Sequence, residues 1–182
     1  MSDKKEQNSK TKKLIDGLEV DDMDIVLKTL ETIQEKGNKD LIKPLIELGV
    51  RRKEKEIQDA IQKIFFSLKI SAAHPIILKE LSTMPPCPFR KVLLSTLWEA
   101  KIDALDHVDV LVKVAIDGDL YEAIEVLTVL EESEGELNEE KILESLLLLK
   151  EFESKNLAID PAKDAFIKSI KDKLELWNKG LS

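Results

Sequence analysis

The sequence holds little of what builds a covalent or metal-centred site. There is one cysteine, Cys87, and there are two histidines, His74 and His107. A single cysteine excludes an intrachain disulfide. Neither histidine stands beside Cys87 at a local spacing, so no Cys–His nucleophile is legible. Aromatic residues make up only 4%, which makes each of them worth placing. Long apolar runs are missing too. The longest spans residues 146–149, far below the ~20 residues of a membrane span. No N-terminal apolar stretch resembles a signal peptide. A cytoplasmic protein with no membrane partner is the expectation. Positive charge is the minority, with 28 Lys and Arg against 36 Asp and Glu and a formal net charge of −8. A nucleic-acid binder usually carries a basic footprint, so no nucleic-acid partner is expected.

What the chain does have is helical periodicity. Hydrophobic residues make up 43% and charged residues 35%, which suits an all-helical protein with thin, repeated cores. In residues 57–68, IQDAIQKIFFSL, the side chains of Ile57, Ala60, Ile61, Ile64 and Leu68 fall in one arc roughly 100° wide, with Phe65 at its edge. The same template fits Phe89, Val92, Leu93, Thr96 and Ala100, with Leu97 at the edge. It fits again at Leu120, Ala123, Ile124 and Leu127, and more faintly at Met23, Val26, Leu27 and Leu30. The starting residues are 34, 32 and 31 apart. Each of the later copies follows a shorter apolar stretch, at 41–48, 75–81 and 108–116. The unit is helix, turn, helix. A lone hairpin cannot bury its stripe, so such units stack. Ile61, Leu93 and Ile124 are predicted to hold equivalent buried positions.

In LIKPLIELGVRRKEKEIQDAIQKIFFSL, HPIILKELSTMPPCPFRKVLLSTLWEA and HVDVLVKVAIDGDLYEAIEVLTVL the chain resembles a HEAT/armadillo-type repeat protein over roughly residues 21–178. HEAT units commonly place Asp in the turn and Arg just inside the second helix. Asp117 and Asp119 match the turn in one unit, and Arg90, after Phe89, matches the Arg in another. Gln58 and Tyr121 stand where Arg would be in their units. The resemblance implies an all-α superhelix of stacked antiparallel hairpins, a solenoid. The expected organisation is a disordered polar tail at 1–13 and a single solenoid domain at 14–182. That domain comprises an opening helix at about 21–36 and hairpins at about 40–69, 73–100, 104–132 and 138–178.

Local signals set the boundaries. Leu14, Ile15, Leu18 and Val20 are read as a short turn covering the open end of the array. Asp21 or Asp22 is the predicted N-cap of the first helix, Gly37-Asn38 its end, and Asp40 the cap of the next. Pro44 suits a first turn, and Gly49 is predicted to end that helix. Ser71 is expected to cap the helix beginning near Pro75, and His74 to lie at its start. The Pro-rich 84–88, MPPCP, separates two helices. Asn138 and the pair Asp160-Pro161 mark two more helix starts. The helix at 142–152 carries Leu143, Leu146, Leu147 and Leu149 around much of its circumference and is expected to be covered on two sides. The last helix has Ala162, Phe166, Ile170, Leu174 and Trp177 on one face and Lys163, Lys168, Lys171 and Lys173 on the other, and reads as a closing cap. A helix lying on a membrane surface has the same pattern.

Three charged clusters have a structural and a functional reading each. The basic 51–55, RRKEK, is either a solvated helix start or an anion contact. Asp103, Asp106, His107 and Asp109 are either helix caps or metal ligands. The turn AIDGD, 115–119, has the flavour of a calcium loop without its spacing, and turn plus N-cap accounts for it. The acidic 131–140, EESEGELNEE, is predicted to be exposed. No catalytic residue, cofactor or metal site is predicted.

The leading functional expectation is a non-enzymatic protein-binding or scaffold module. Nine residues on from each repeat start, half a turn from the core, stand Thr32, Phe66, Trp98 and Val129. Phe66, Trp98 and Val129 are apolar, and stacking would line them up either between layers or as an apolar groove along a concave face. Gln62, Glu99 and Glu125 flank that row. Its acidic surroundings suit a basic or amphipathic helix or an extended peptide. HEAT-like DNA glycosylases offer another use of the scaffold, with Trp98 and Asp103 as the stacking and catalytic groups, but they need a basic cleft. HEAT-like chromophore lyases offer one more, and an adaptor that dimerises through an exposed array end a further one.

Overall fold

A computed structural model of the chain describes residues 2–36, 38–67, 73–155 and 160–181. The described residues are all-helical and contain no strand. The helices are α1 (Ser2–Leu18), α2 (Met23–Lys36), α3 (Ile42–Arg51), α4 (Lys55–Phe66), α5 (His74–Thr83), α6 (Pro88–Glu99), α7 (Val108–Asp117), α8 (Leu120–Glu132), α9 (Glu139–Ser154) and α10 (Pro161–Leu181). Short 3-10 turns at Lys39–Leu41 and Leu105–His107 lead into α3 and α7. Where the sequence suggests one domain, the chain divides into two compact units, Met1–Ile77 and Leu78–Ser182. Gly37, Leu68 and Ser71, read above as a helix end, a core position and a cap, lie outside the described residues.

In the first unit, α2 packs on α1 and α4, and α3 packs on the same two helices. The stretch read as a disordered tail belongs to α1. Only Leu14, Ile15 and Leu18 give that helix an apolar face, and Leu18 is fully buried. Thr11 is buried as well and accepts from the Asn38 side-chain amide at 3.0 Å, and beyond it polar turns extend an existing helix, which fixes one residue per hydrogen bond gained. Asp22 caps α2, its Oδ1 accepting from the N–H groups of Asp24 and Ile25. Asn38, not Asp40, caps the 3-10 turn, accepting from the Asp40 N–H at 2.9 Å. α3 runs through the buried Gly49 to Arg51 instead of ending at the glycine. The basic cluster is tied down. Arg51 reaches the Glu19 carboxylate and the Leu18 carbonyl at 2.8 and 2.9 Å. Arg52 reaches Glu54 and the carbonyls of Val20 and Asp21. The hydrogen bond from Arg52 holds the Glu54 carboxyl down at about 2.

In the second unit, α6 packs on α8 and α8 on α10, while α7 packs on α8 and α9 and α9 packs on α10. Buried positions recur at offsets of 31, 32 and 33. Val26, Leu30 and Ile33 correspond to Ile57, Ile61 and Ile64, then to Phe89, Leu93 and Thr96, then to Glu122, Val126 and Val129. The first copy is therefore in register at Val26 rather than Met23, and the fourth at Glu122 rather than Leu120. Ile61 and Leu93 are fully buried as expected. Ile124 is partly exposed, and Val126 takes its place.

Lys163 departs from its predicted place on the polar face of α10. It is buried, and its Nζ donates to the carbonyls of Ile116 and Gly118 at 2.7 and 2.8 Å. These are groups that the end of α7 leaves without an intrahelical donor. Burial lowers its pKa, against the opposing pull of Asp117, Glu122 and Asp119. Phe166 and Trp177 are only partly buried and Ala162 is exposed, so the core face of α10 is Lys163, Ile167, Ile170 and Leu174.

Gly118 is required by close approach. A Cβ there would lie 2.3 Å from Oε2 of Glu122 and 2.7 Å from the Val114 carbonyl. Gly118→Ala is expected to cost ~1–3 kcal/mol in chemical denaturation. Gly180→Ala, with nothing within 4 Å of the added carbon, is the matched control and should not destabilise.

Candidate partner-binding surface

The second unit's candidate surface rests on a buried polar clamp between α6 and α8. Arg90 is the third residue of α6, which Pro88 opens, and is buried beside Phe89. Its Nη2 donates to Oε2 of Glu122 at 2.9 Å and its Nε to Oε1 at 2.5 Å. The two side chains are each 3% exposed. The remaining Nη1 donates to the Met84 carbonyl at 3.1 Å. Glu122 is held in turn by a capping box. It accepts from the Asp119 N–H, and Asp119 accepts from the Glu122 N–H. Lys91 closes the rim at 2.6 Å from Asp119 and 4.9 Å from the Tyr121 ring centre. Burial works to raise the Asp119 pKa. The hydrogen bonds from Lys91 and from the N–H groups of Glu122 and Tyr121 outweigh it and hold the carboxyl below its ordinary value.

About two turns further along α6 stands Trp98, partly buried. Its Nε1 donates to Oε2 of Glu125 on α8 at 2.8 Å, which fixes the indole without covering it. Trp98 forms one wall of a cleft with Lys101, Ile102, Asp103, Glu132, Ser133 and Glu134. Lys101 has the left-handed φ of 52°, a strained turn for a lysine. It lets the chain reverse so that the Ile102 N–H reaches the Leu97 carbonyl at 2.7 Å. Asp103 caps the following 3-10 turn through the Leu105 N–H. A Cβ at Gly135 would lie 2.3 Å from Oδ2 of Asp103, so the acidic turn comes directly against that aspartate. Three carboxylates and the Lys101 ammonium thus line the cleft with one indole, beside the Glu125 carboxylate that holds it.

Val129, placed by sequence in the outward apolar row, is 1% exposed and belongs to the core. The reason is the register. Counting nine from Glu122 reaches Glu131, which is exposed. Counting nine from Val26, Ile57 and Phe89 reaches exposed Glu35 and partly buried Phe66 and Trp98. Thr32 is exposed as well but stands outside this register. The outward row is therefore aromatic in two copies and acidic in two. Phe66 belongs to the first unit, where it borders an open depression with Asp59, Gln62, Lys63 and Ser67. Glu99 is exposed beside Trp98, and Glu125 is engaged with its indole. Phe66 and Gln62 are not part of the Trp98 cleft. Sequence reading missed Lys101 and Glu134, which reach the cleft through loops that no helical template represents, and Glu132 at the end of α8.

The remaining clusters have local partners. Asp106 accepts from the Asn138 side chain at 3.3 Å, and Asp109 lies 3.4 Å from the Lys141 ammonium. His107 ends the 3-10 turn ahead of α7. Residues 103 and 104 are not helical, so Asp103 and His107 do not share a helix face. Cys87 is the partly buried residue before Pro88. Among the described residues no three Asp, Glu, His or Cys side chains group as a metal site, and no helix is long and apolar enough to cross a membrane. No family model, no curated protein and no solved structure matches the chain.

Proposed function

We propose that this chain is a non-enzymatic protein-binding module, cytoplasmic, in which each unit is a HEAT-like stack of antiparallel hairpins. The Trp98 cleft is its contact for a basic side chain on an amphipathic helix or extended peptide. What supports the repeat reading is the spacing of long-range polar contacts. Arg51–Glu19, Arg90–Glu122, Asn138–Asp106 and Lys141–Asp109 all join residues 32 apart. Consecutive hairpins that stack side by side meet through neighbouring positions about one repeat apart, so such contacts recur at an offset close to the repeat length.

The observation that carries the binding reading is the tethered, partly exposed indole bordered by Asp103, Glu132 and Glu134. An aromatic face with adjacent carboxylates suits a Lys or Arg side chain. The same carboxylates oppose a phosphate backbone, so Trp98 and Asp103 sharing one cleft does not favour a DNA glycosylase. The test is fluorescence anisotropy with a labelled lysine-rich amphipathic peptide and its glutamate-substituted counterpart. The basic peptide is expected to bind, to weaken with added salt, and to lose about tenfold or more with Trp98→Ala. The thermal midpoint should change little. Equal binding of both peptides, or no effect of Trp98→Ala, overturns the reading.

A further inference from the structure

α9 carries a second apolar surface, away from the Trp98 cleft and independent of the reading above. Its buried face is Ile142, Ser145 and Leu149, turned toward α7 and α10. The sequence predicts cover on two sides, yet Leu143 is 45% exposed and Leu147 61% exposed. Burial aligns α9 with α7 at an offset of 34, with Val108, Leu111 and Ala115 matching Ile142, Ser145 and Leu149. On that alignment Leu143 matches Asp109, the residue through which α7 meets Lys141 of α9. Leu143 of α9 therefore occupies the side on which α7 receives the next helix, and Leu147, one turn on, stands beside it on the exposed face.

The pattern of this side names its occupant. Glu140, Leu143, Leu147 and Lys150 follow one another at intervals of three, four and three, the seam spacing of a coiled coil. Glu140 and Lys150 are exposed, and neither forms an ion pair among the described residues. The four positions are symmetric about residue 145. An antiparallel copy of the same helix places Leu143 on Leu147 of the partner, and Glu140 opposite Lys150 of the partner, twice over. We infer that α9 is an isologous dimerisation surface, taking α9 of a second copy of this chain in antiparallel register. Two leucines per copy make a small contact beside a standard interface of ~800 Å² per partner, so the dimer is weak and forms at high protein concentration.

Sedimentation equilibrium of the full chain, over concentrations extending into the high micromolar range, tests this. The chain is expected to move from monomer to dimer. Leu147→Glu should abolish association with an unchanged circular dichroism spectrum, since the side chain is on the surface. Glu140→Lys and Lys150→Glu should each weaken the dimer about tenfold or more by setting like charges opposite one another. The two substitutions combined in one chain should restore it. A chain that stays monomeric at every concentration overturns the inference. So does a dimer indifferent to Leu147→Glu, or a paired charge exchange that fails to recover association.

Discussion

Arg90→Ala is expected to destabilise the Leu78–Ser182 unit by ~3–5 kcal/mol, because it leaves the Glu122 carboxylate buried with its main counter-charge removed. Both side chains are 3% exposed, which shields the Glu122 oxygens from solvent. The Asp119 N–H is the hydrogen-bond donor left to that carboxylate by the capping box. Arg90→Lys should recover only part of the loss, since one ammonium does not reproduce the two parallel bonds of the guanidinium or the third bond to Met84. Replacing both partners together, Arg90→Met with Glu122→Leu, is expected to sit much nearer to the original stability. That change removes the desolvation cost along with the attraction. Urea denaturation followed by tryptophan fluorescence reports on this unit alone, because both tryptophans, Trp98 and Trp177, lie within it. A loss under about 1 kcal/mol for Arg90→Ala, the range of exposed ion pairs, would mean the pair is open to solvent and the clamp does not exist.

That pair also explains how far the sequence could be read. The all-helical class and most helix starts were legible because they rest on local physics. Asp22, Asp119, Asn138 and Asp160 all accept from backbone N–H groups at the start of a helix. The register of α8 was not legible. A template that seeks apolar residues slides past Glu122, since a glutamate at a core position looks like a break in the stripe. It settled on Leu120, two residues early. Lys163 was misplaced for the same reason, being a charged residue buried by partners from a distant segment. The signal that was available is the offset of 32 between Arg90 and Glu122, close to the spacing of the sequence copies, joining opposite charges on packed helices. Reading charge pairs at the repeat period, alongside apolar stripes, finds the clamp. The Trp98 cleft was half legible. The indole and Glu125 follow from helix geometry, whereas Glu132 reaches it from the last turn of α8 and Glu134 through the turn that brings Gly135 against Asp103, opposite the left-handed Lys101.

Val129→Asp is the substitution that separates the two registers most sharply. In the register starting at Leu120, residue 129 points away from the core, and an aspartate there should be a tolerated surface change within about 0.5 kcal/mol. In the observed register Val129 matches Ile64 and Thr96. It is 1% exposed, on a helix flanked by α6, α7 and α10. An aspartate in that position buries a charge, and the buried cations among the described residues of this unit are already engaged. Arg90 is already committed to Glu122, and Lys163 to the end of α7. Transfer of an unpaired carboxylate into such a site is among the costliest single changes, and a loss of at least ~4 kcal/mol is expected. Glu131→Ala, two residues further along the same helix, is the control. Glu131 is exposed, so its removal should stay within about 0.5 kcal/mol. Measured by the same tryptophan-detected denaturation, a large loss at 129 with none at 131 fixes the register of α8. The reverse pattern would restore Val129 to the surface and return the outward row to three apolar members.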